Sequence, residues 1–310
     1  MPHLPRVLAL VGPTASGKTP LSCLLAEQLN GEIISADSRQ VYKHLDIGTA
    51  KPSREQLKQI KHHFIDILEP TEEYSAGQYG KEALSTVKRI LQRGRFPILV
   101  GGSGLYIRAV IDGLFEGPGK DPEVRFQLEQ RLREEGAEAL LEQLKKVDPQ
   151  SATMMSPSKP RRILRALEVY YITGKPLSKF HAEQQRQSDI EFVQFGLHWD
   201  RKELYKRINE RVDRMMQHGF LDEVRGLKKM GLSSSLNALN TVGYKELFEY
   251  LDGKLRLDEA VELIKRNTRR FAKRQLTWFR ADKRIRWIAM STQRDFEAIA
   301  KQIREQFISI

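Results

Sequence analysis

Short apolar runs frame the first hundred residues. Val7-Leu8-Ala9-Leu10-Val11 is the kind of run that a strand buried on both faces requires, and Leu21, Leu24, Leu25 and Leu29 follow it at helical spacing. Glu32-Ile33-Ile34-Ser35 predicts a second strand ending at Asp37, and Phe96-Pro97-Ile98-Leu99-Val100 another ending at Gly101. Phe64-Ile65-Asp66-Ile67 reads as a further strand end. Strands alternating with helices imply an α/β fold, a doubly wound parallel sheet that binds ligands at the carboxyl ends of its strands.

The pattern changes after a stretch rich in glycine and proline at 113–121. From 122 to about 188 it predicts helices only, over 122–146 and 159–173, with a polar stretch after Pro176. Phe192-Val193-Gln194-Phe195-Gly196-Leu197 then returns the chain to the sheet, and Leu204, Ile208, Val212, Met215 and Met216 share one helical face behind it. The expected organisation is a core of 1–113 and 192–310 interrupted by an all-helical insertion, 114–191.

Between the first strand and its helix stand Gly12-Pro13-Thr14-Ala15-Ser16-Gly17-Lys18-Thr19, a complete G-x-x-x-x-G-K-T loop in the context that such a loop needs. Backbone N–H groups there, aided by the helix dipole, favour an anion. Lys18 adds a cation for outer phosphates, and the Thr19 hydroxyl suits Mg²⁺. Asp37-Ser38-Arg39-Gln40, at the next strand end, would join the same crevice. Asp37 there can hold the metal through water or act as a general base, and Asp66 is a second candidate for the metal role. Gly101-Gly102-Ser103-Gly104 suggests backbone lying close to a ligand, with the Ser103 hydroxyl available for a hydrogen bond. The adjacent His62 and His63 cannot share a strand or helix face, lack a third ligand nearby, and read as structural.

Composition narrows the class. A hydrophobic fraction of 40% among 310 residues supports a packed core, and a mean hydropathy of −0.50 argues against a membrane protein. No apolar run approaches the roughly 20 residues of a membrane-spanning helix, and the first strand follows too soon for a signal peptide. Cys23 is the single cysteine, which excludes internal disulfides and suits a reducing cytoplasm. The net charge of +12 favours polyanionic partners. Much of it gathers on a helix predicted over 259–280, where Arg266, Arg269, Arg270, Lys273 and Arg280 fall on one side. Val261, Ile264, Thr268, Phe271, Trp278 and Phe279 fall on the other. That stripe is the footprint of a helix that follows a nucleic-acid backbone. Lys159, Arg161, Arg162 and Arg165 open a helix of the insertion, where phosphate would relieve their opposition to the helix dipole.

Taken in order, these stretches resemble the tRNA dimethylallyltransferase (tRNA isopentenyltransferase) family. The matching segments are 12–19, Asp-Ser-Arg-Gln-Val-Tyr at 37–42, Asp-Ile-Gly-Thr-Ala-Lys-Pro at 46–52 and Leu-Val-Gly-Gly-Ser-Gly-Leu-Tyr at 99–106. Arg-Ala-Leu-Glu-Val at 165–169, Val-Gly-Tyr-Lys-Glu at 242–246 and the run at 268–280 complete the set, which spans nearly the whole chain. The resemblance implies transfer of a dimethylallyl group from its diphosphate to N6 of adenosine 37 in tRNA, with Mg²⁺, by a cytoplasmic monomer. It implies that residues 12–19 hold the diphosphate, that Asp37 takes the amine proton, and that Ser103 lines the channel where donor and base meet. Contacts with the anticodon stem-loop would come from the Asp37–Gln40 turn, Ser103 and Arg125, and from Arg161, Arg162, Ile163, Leu164 and Arg165 in the insertion. Asn240, Thr241, Val242, Gly243, Tyr244 and Lys245 would join them, as would Lys273, Arg274, Gln275, Leu276, Thr277, Trp278, Phe279 and Arg280.

There are departures from the family pattern. Position 103 is commonly Thr, position 161 often Gln, and Pro20 follows the loop directly, which a helix's first turn tolerates. The zinc finger of eukaryotic relatives is missing, which points to the bacterial type. A small-molecule or nucleoside kinase, and an RNA-binding ATPase without transferase activity, share the loop and stay open at this point.

Overall fold

In the computed structural model the first apolar run becomes β1 (Arg6–Val11), which sends alternate side chains to opposite faces. Val7, Ala9 and Val11 enter one core, Leu8 and Leu10 the other. The structure describes residues 4–114, 117–119, 121–183, 189–293 and 295–309. The chain divides into two compact units, Met1–Asp112 with Ser188–Ile310, and Gly113–Gln187.

In the first unit α1 (Lys18–Leu29) leads to β2 (Gly31–Ala36), α2 (Arg54–Gln59), β3 (His62–His63), α3 (Ala76–Gln92), β4 (Phe96–Gly101) and α4 (Gly104–Ile111). The second unit holds α5 (Pro122–Val147), α6 (Pro149–Thr153), α7 (Pro160–Thr173) and α8 (Leu177–Glu183). The first resumes with β5 (Glu191–His198), α9 (Arg201–Gln217), α10 (Phe220–Lys229), α11 (Tyr244–Leu251), α12 (Leu257–Ala281), β6 (Arg286–Ala289) and α13 (Phe296–Ile308).

Among the described residues the strands form one six-stranded sheet in the order β3-β2-β4-β1-β5-β6, parallel throughout. This is the doubly wound α/β sheet that the apolar runs predict. On one face α1 and α13 pack with Leu8, Leu10, Ile33, Ile98 and Phe195. On the other, α3, α4, α11 and α12 pack with Ala9, Ile34 and Leu99. The register Ala36↔Gly101 and Val11↔Gly101 brings the ends of β2, β4 and β1 level, so the loops after them meet.

Two local expectations change. The strand expected around Asp66 lies earlier, at His62–His63. Phe64 and Asp66 have positive φ (65° and 55°), which breaks a strand. His62 and His63 are structural: His63 Nε2 lies 2.7 Å from the buried Glu32 carboxylate, and His62 Nδ1 lies 2.8 Å from Ile60 O. The helix expected over 122–146 is interrupted at Gly136, where φ 84° and ψ 169° are non-helical. Packing of Leu128, Leu140, Leu144, Ile163 and Leu167 forms the second unit's own core. The polar stretch expected to about 188 falls partly outside the described residues, at 184–188.

Candidate active site

The phosphate loop is held from behind by side chains distant in sequence. Trp199 Nε1 donates to Ser16 O (2.9 Å) and Arg207 Nε to Ala15 O (3.0 Å), with the Arg207 guanidinium 4.1 Å from the Trp199 ring centre. Thr14 N–H donates to Gln275 Oε1 (2.8 Å). Lys18 Nζ donates to Gly12 O (3.0 Å) and Pro13 O (2.7 Å). Gly17, the N-cap of α1, has φ 93°, and a Cβ there would lie 2.8 Å from the Phe296 ring, so both backbone and packing require glycine.

Opposite the loop stands the turn after β2. Asp37 Oδ1 accepts from Arg39 N (2.8 Å) and, at 3.4 Å, from Gln40 N, while Oδ2 accepts no hydrogen bond among the described residues. Ser103 Oγ accepts from Ser38 N (3.0 Å) and donates to Ser38 Oγ (3.3 Å). Its hydroxyl is therefore committed to holding the Asp37 turn. Gln40 Nε2 donates to Thr49 O (3.3 Å) and Ala50 O (3.1 Å), which draws the 46–50 loop in as a third wall. Glu223 closes that wall: its carboxylate accepts from the N–H groups of Asp46, Ile47 and Gly48 at 2.6–3.1 Å and from Tyr244 OH at 2.6 Å. Asp66 is not among the residues that line the crevice; its carboxylate is taken up by the buried Lys51, which also pairs with Asp46 at 2.6 Å.

These walls enclose a crevice of about 570 Å³ lined by Thr14 to Thr19, Asp37 to Gln40, Ser103, Thr241 to Tyr244 and Phe271. Arg207, Arg211 and Arg214 of α9 line it as well, although the sequence reading passed over them. Their spacing of four and three residues beside the buried Leu204, Ile208 and Val212 was the available signal. Burial, aided by the Arg211 charge and partly opposed by Asp37, lowers the Lys18 pKa to about 7. Burial likewise pulls Arg211 and Arg207 below the usual arginine value. Cations crowded together and withdrawn from water are costly until an anion joins them. The crevice thus carries an excess of positive charge suited to a polyphosphate.

Arg266, Arg270, Lys273 and Arg274 are exposed on α12, and none pairs with a carboxylate among the described residues. The buried face is Ala260, Ile264, Ala272, Gln275 and Phe279. Phe271 and Trp278, expected on the apolar face, are instead 39% and 38% exposed. The reason is that the buried stripe is narrower than the sequence suggests, running through Ile264, Ala272, Gln275 and Phe279. Phe271 lines the crevice, and Trp278 lines a separate cleft beside α4.

Other anticipated RNA contacts divide by burial. Arg161, Arg162, Asn240, Lys245, Thr277 and Arg280 are exposed. Ile163, Leu164, Tyr244, Gln275 and Phe279 are buried, so contact along their segments falls to exposed neighbours. Leu276 is half-buried. In the second unit Arg165 and Arg125 converge on Glu168, 1% exposed, at 2.8 and 3.7 Å, and Arg165 also donates to Pro118 O at 2.8 Å. Arg125 further pairs with Glu129 at 2.9 Å.

Thr19 and Asp37 border the crevice, and Ser16 Oγ is buried without a hydrogen-bond partner among the described residues. Such hard oxygen donors suit Mg²⁺. Among the described residues no group of three or more His, Cys, Asp or Glu can hold a metal. The donors therefore fit a cation completed by phosphate oxygens and water, not one caged by protein.

A model of the family described as IPP transferase matches residues 40–282. The chain belongs to the IPP transferase family. It is 48% identical over 301 residues to the tRNA dimethylallyltransferase of Pelotomaculum thermopropionicum, covering 96% of this chain and 95% of that one. The crystal structure of the tRNA isopentenylpyrophosphate transferase of Bacillus halodurans superposes with a TM-score of 0.71 at 40% identity, over 99% of this chain and 98% of that one. A eukaryotic dimethylallyltransferase captured acting on tRNA superposes with a TM-score of 0.84 at 29% identity, over 98% and 80%. Family membership decides against the kinase and ATPase alternatives. Among the described residues no helix is long and apolar enough to cross a membrane.

Proposed function

We infer that this protein is a tRNA prenyltransferase, which moves a dimethylallyl group from dimethylallyl diphosphate to N6 of adenosine 37 beside the anticodon. The observation that carries this reading is the meeting, in one crevice, of a cation-rich phosphate loop and a carboxylate with one oxygen free of hydrogen bonds among the described residues. An exocyclic adenine amine is a weak nucleophile, so it needs both a proton acceptor and a good leaving group. The new N6–carbon bond forms as the carbon–oxygen bond to diphosphate breaks, Asp37 Oδ2 takes the amine proton, and diphosphate departs with the bonding pair.

Lys18, Arg211 and the N–H groups of 15–19 stabilise the charge that grows on the leaving oxygens. Mg²⁺ held by Thr19, with Asp37 through water, would add Lewis-acid stabilisation of the same diphosphate. The base must leave its stack in an RNA loop to reach Asp37. The exposed cations of α12, together with Arg161 and Arg162 of the helical insertion, offer the phosphate contacts that hold such a loop. We read the protein as acting as a monomer in the cytoplasm.

The test is incubation with dimethylallyl diphosphate, Mg²⁺ and unmodified tRNA transcripts carrying adenosine 37, followed by mass spectrometry of the nucleosides. A gain of one dimethylallyl group on adenosine 37, lost when that base is changed to guanosine, is expected. No gain on any transcript, or a gain elsewhere, overturns the assignment.

A further inference from the structure

Gln275 has a place that its neighbours on α12 do not share. It is 8% exposed on the buried face that it shares with Ala272 and Phe279, while Arg270 and Arg274 are exposed, and its carboxamide is used at both ends. Oε1 accepts from Thr14 N–H of the phosphate loop at 2.8 Å, and Nε2 donates to Gly102 O of the turn after β4 at 2.9 Å. Among the described residues no other α12 side chain makes a hydrogen bond to either loop. Gly102 fits this role, because a Cβ there would lie 2.4 Å from Gln275 Nε2. The turn continues into Ser103, whose hydroxyl holds the Asp37 turn. One buried amide thus joins the RNA-facing helix to the diphosphate loop and, through Ser103, to the proposed base.

A helix moves as a stiff body, so a shift of its solvent face carries its buried face along. A buried amide that loses one of two partners keeps an unsatisfied polar group, at a cost of roughly 1–3 kcal/mol. The loop and the helix are therefore biased to move together. We propose that Gln275 is a positioning residue that couples RNA seated on α12 to the conformation of the phosphate loop, so that RNA and diphosphate each tighten the binding of the other. This rests on the reading of α12 as the RNA face and of 12–19 as the diphosphate loop. Linkage makes the effect reciprocal: the factor by which RNA lowers the diphosphate Kd equals the factor by which diphosphate lowers the RNA Kd.

The experiment uses the full chain, inorganic pyrophosphate with Mg²⁺, and an unmodified tRNA transcript. The Kd for each is measured by calorimetry or anisotropy with and without saturating amounts of the other. The wild-type coupling factor is expected to be about tenfold. Gln275→Leu is expected to bring it within about twofold of unity while the RNA Kd measured alone changes by less than about twofold. Gln275→Glu has the same shape, keeps the Thr14 bond and loses the Gly102 donor. It should lower the factor about threefold, and it carries the test if the leucine variant does not fold.

A factor unchanged in either folded variant overturns the proposal. So does an equal loss of pyrophosphate affinity with and without RNA, which would mark a purely structural role, and so does a wild-type factor of one. A large loss of RNA affinity in the absence of pyrophosphate would mean that Gln275 touches RNA itself, and also overturns it. If wild-type protein binds neither pyrophosphate nor RNA, the functional reading fails; if it binds both and position 275 has no influence, only the coupling fails.

Discussion

Two sets of cations in the same unit are built in opposite ways. Lys18, Arg207 and Arg211 are withdrawn from water around the phosphate loop, and burial pulls down the pKa of each. Arg266, Arg270, Lys273 and Arg274 stand in solvent along α12 without carboxylate partners among the described residues. A buried cation loses its hydration, so an anion that joins it gains much more than it would in water. An exposed cation keeps its hydration, gains little per contact, and acts by number. The first arrangement suits a small ligand bound in one geometry; the second suits a long polyanion that must find its place.

The comparison is sharpest at the carboxylate facing the buried set. Asp37→Ala should lower turnover by about 10²–10⁴-fold while the Kd for tRNA moves less than about twofold; single-turnover kinetics beside a filter-binding titration would separate the two. Equal losses in both would erase the division between chemistry and grip.

Lys18→Met is expected to cost about 10²–10³-fold in turnover. Arg270→Ala at saturating RNA should cost almost nothing.

The buried set should also show a pH signature that the exposed set lacks. With Lys18 at about 7 in the free protein, its ammonium is largely lost above that pH and must be regained when diphosphate binds. Pyrophosphate affinity of the wild type, relative to Lys18→Met, should then fall by about tenfold per unit above pH 7. The stability of the free fold should move the other way. Between about 7 and the ordinary 10.5 the folded state binds fewer protons than the unfolded chain, so stability rises with pH across that window. A wild-type affinity profile parallel to that of Lys18→Met would remove Lys18 from the diphosphate.

The smallest effects belong to α12. Arg270→Ala and Arg274→Ala should each weaken tRNA binding a few-fold and flatten the slope of log K against log salt by about 0.7–0.9. An unchanged salt slope would mean that these residues do not meet phosphate.

Much of the site was legible because its parts are contiguous. The phosphate loop needs only its own glycines, lysine and threonine between a strand and a helix, and residues 12–19 supply all of them. Asp37 was found because a strand end fixes where its side chain begins. Arg207 and Arg211 were missed because α9 was read for its apolar face, although their helical spacing was visible. Gln275 was noticed only as part of a basic stretch; no local pattern says that a glutamine amide will bond two loops far from it in sequence. Arg125 and Arg165 look alike as free cations in the sequence, yet Glu168 holds both.

The sequence by itself determined the strand–loop–helix unit, the parallel sheet and the crowding of positive charge on one late helix, because periodicity and glycine placement act over a few residues. Tertiary structure alone decided which cations lose their water, which oxygen of Asp37 accepts the backbone N–H groups of its turn, and which side chain joins α12 to the phosphate loop. Burial and hydrogen-bond pairing depend on what the rest of the chain brings alongside, and here the pairs are separated by up to 261 positions.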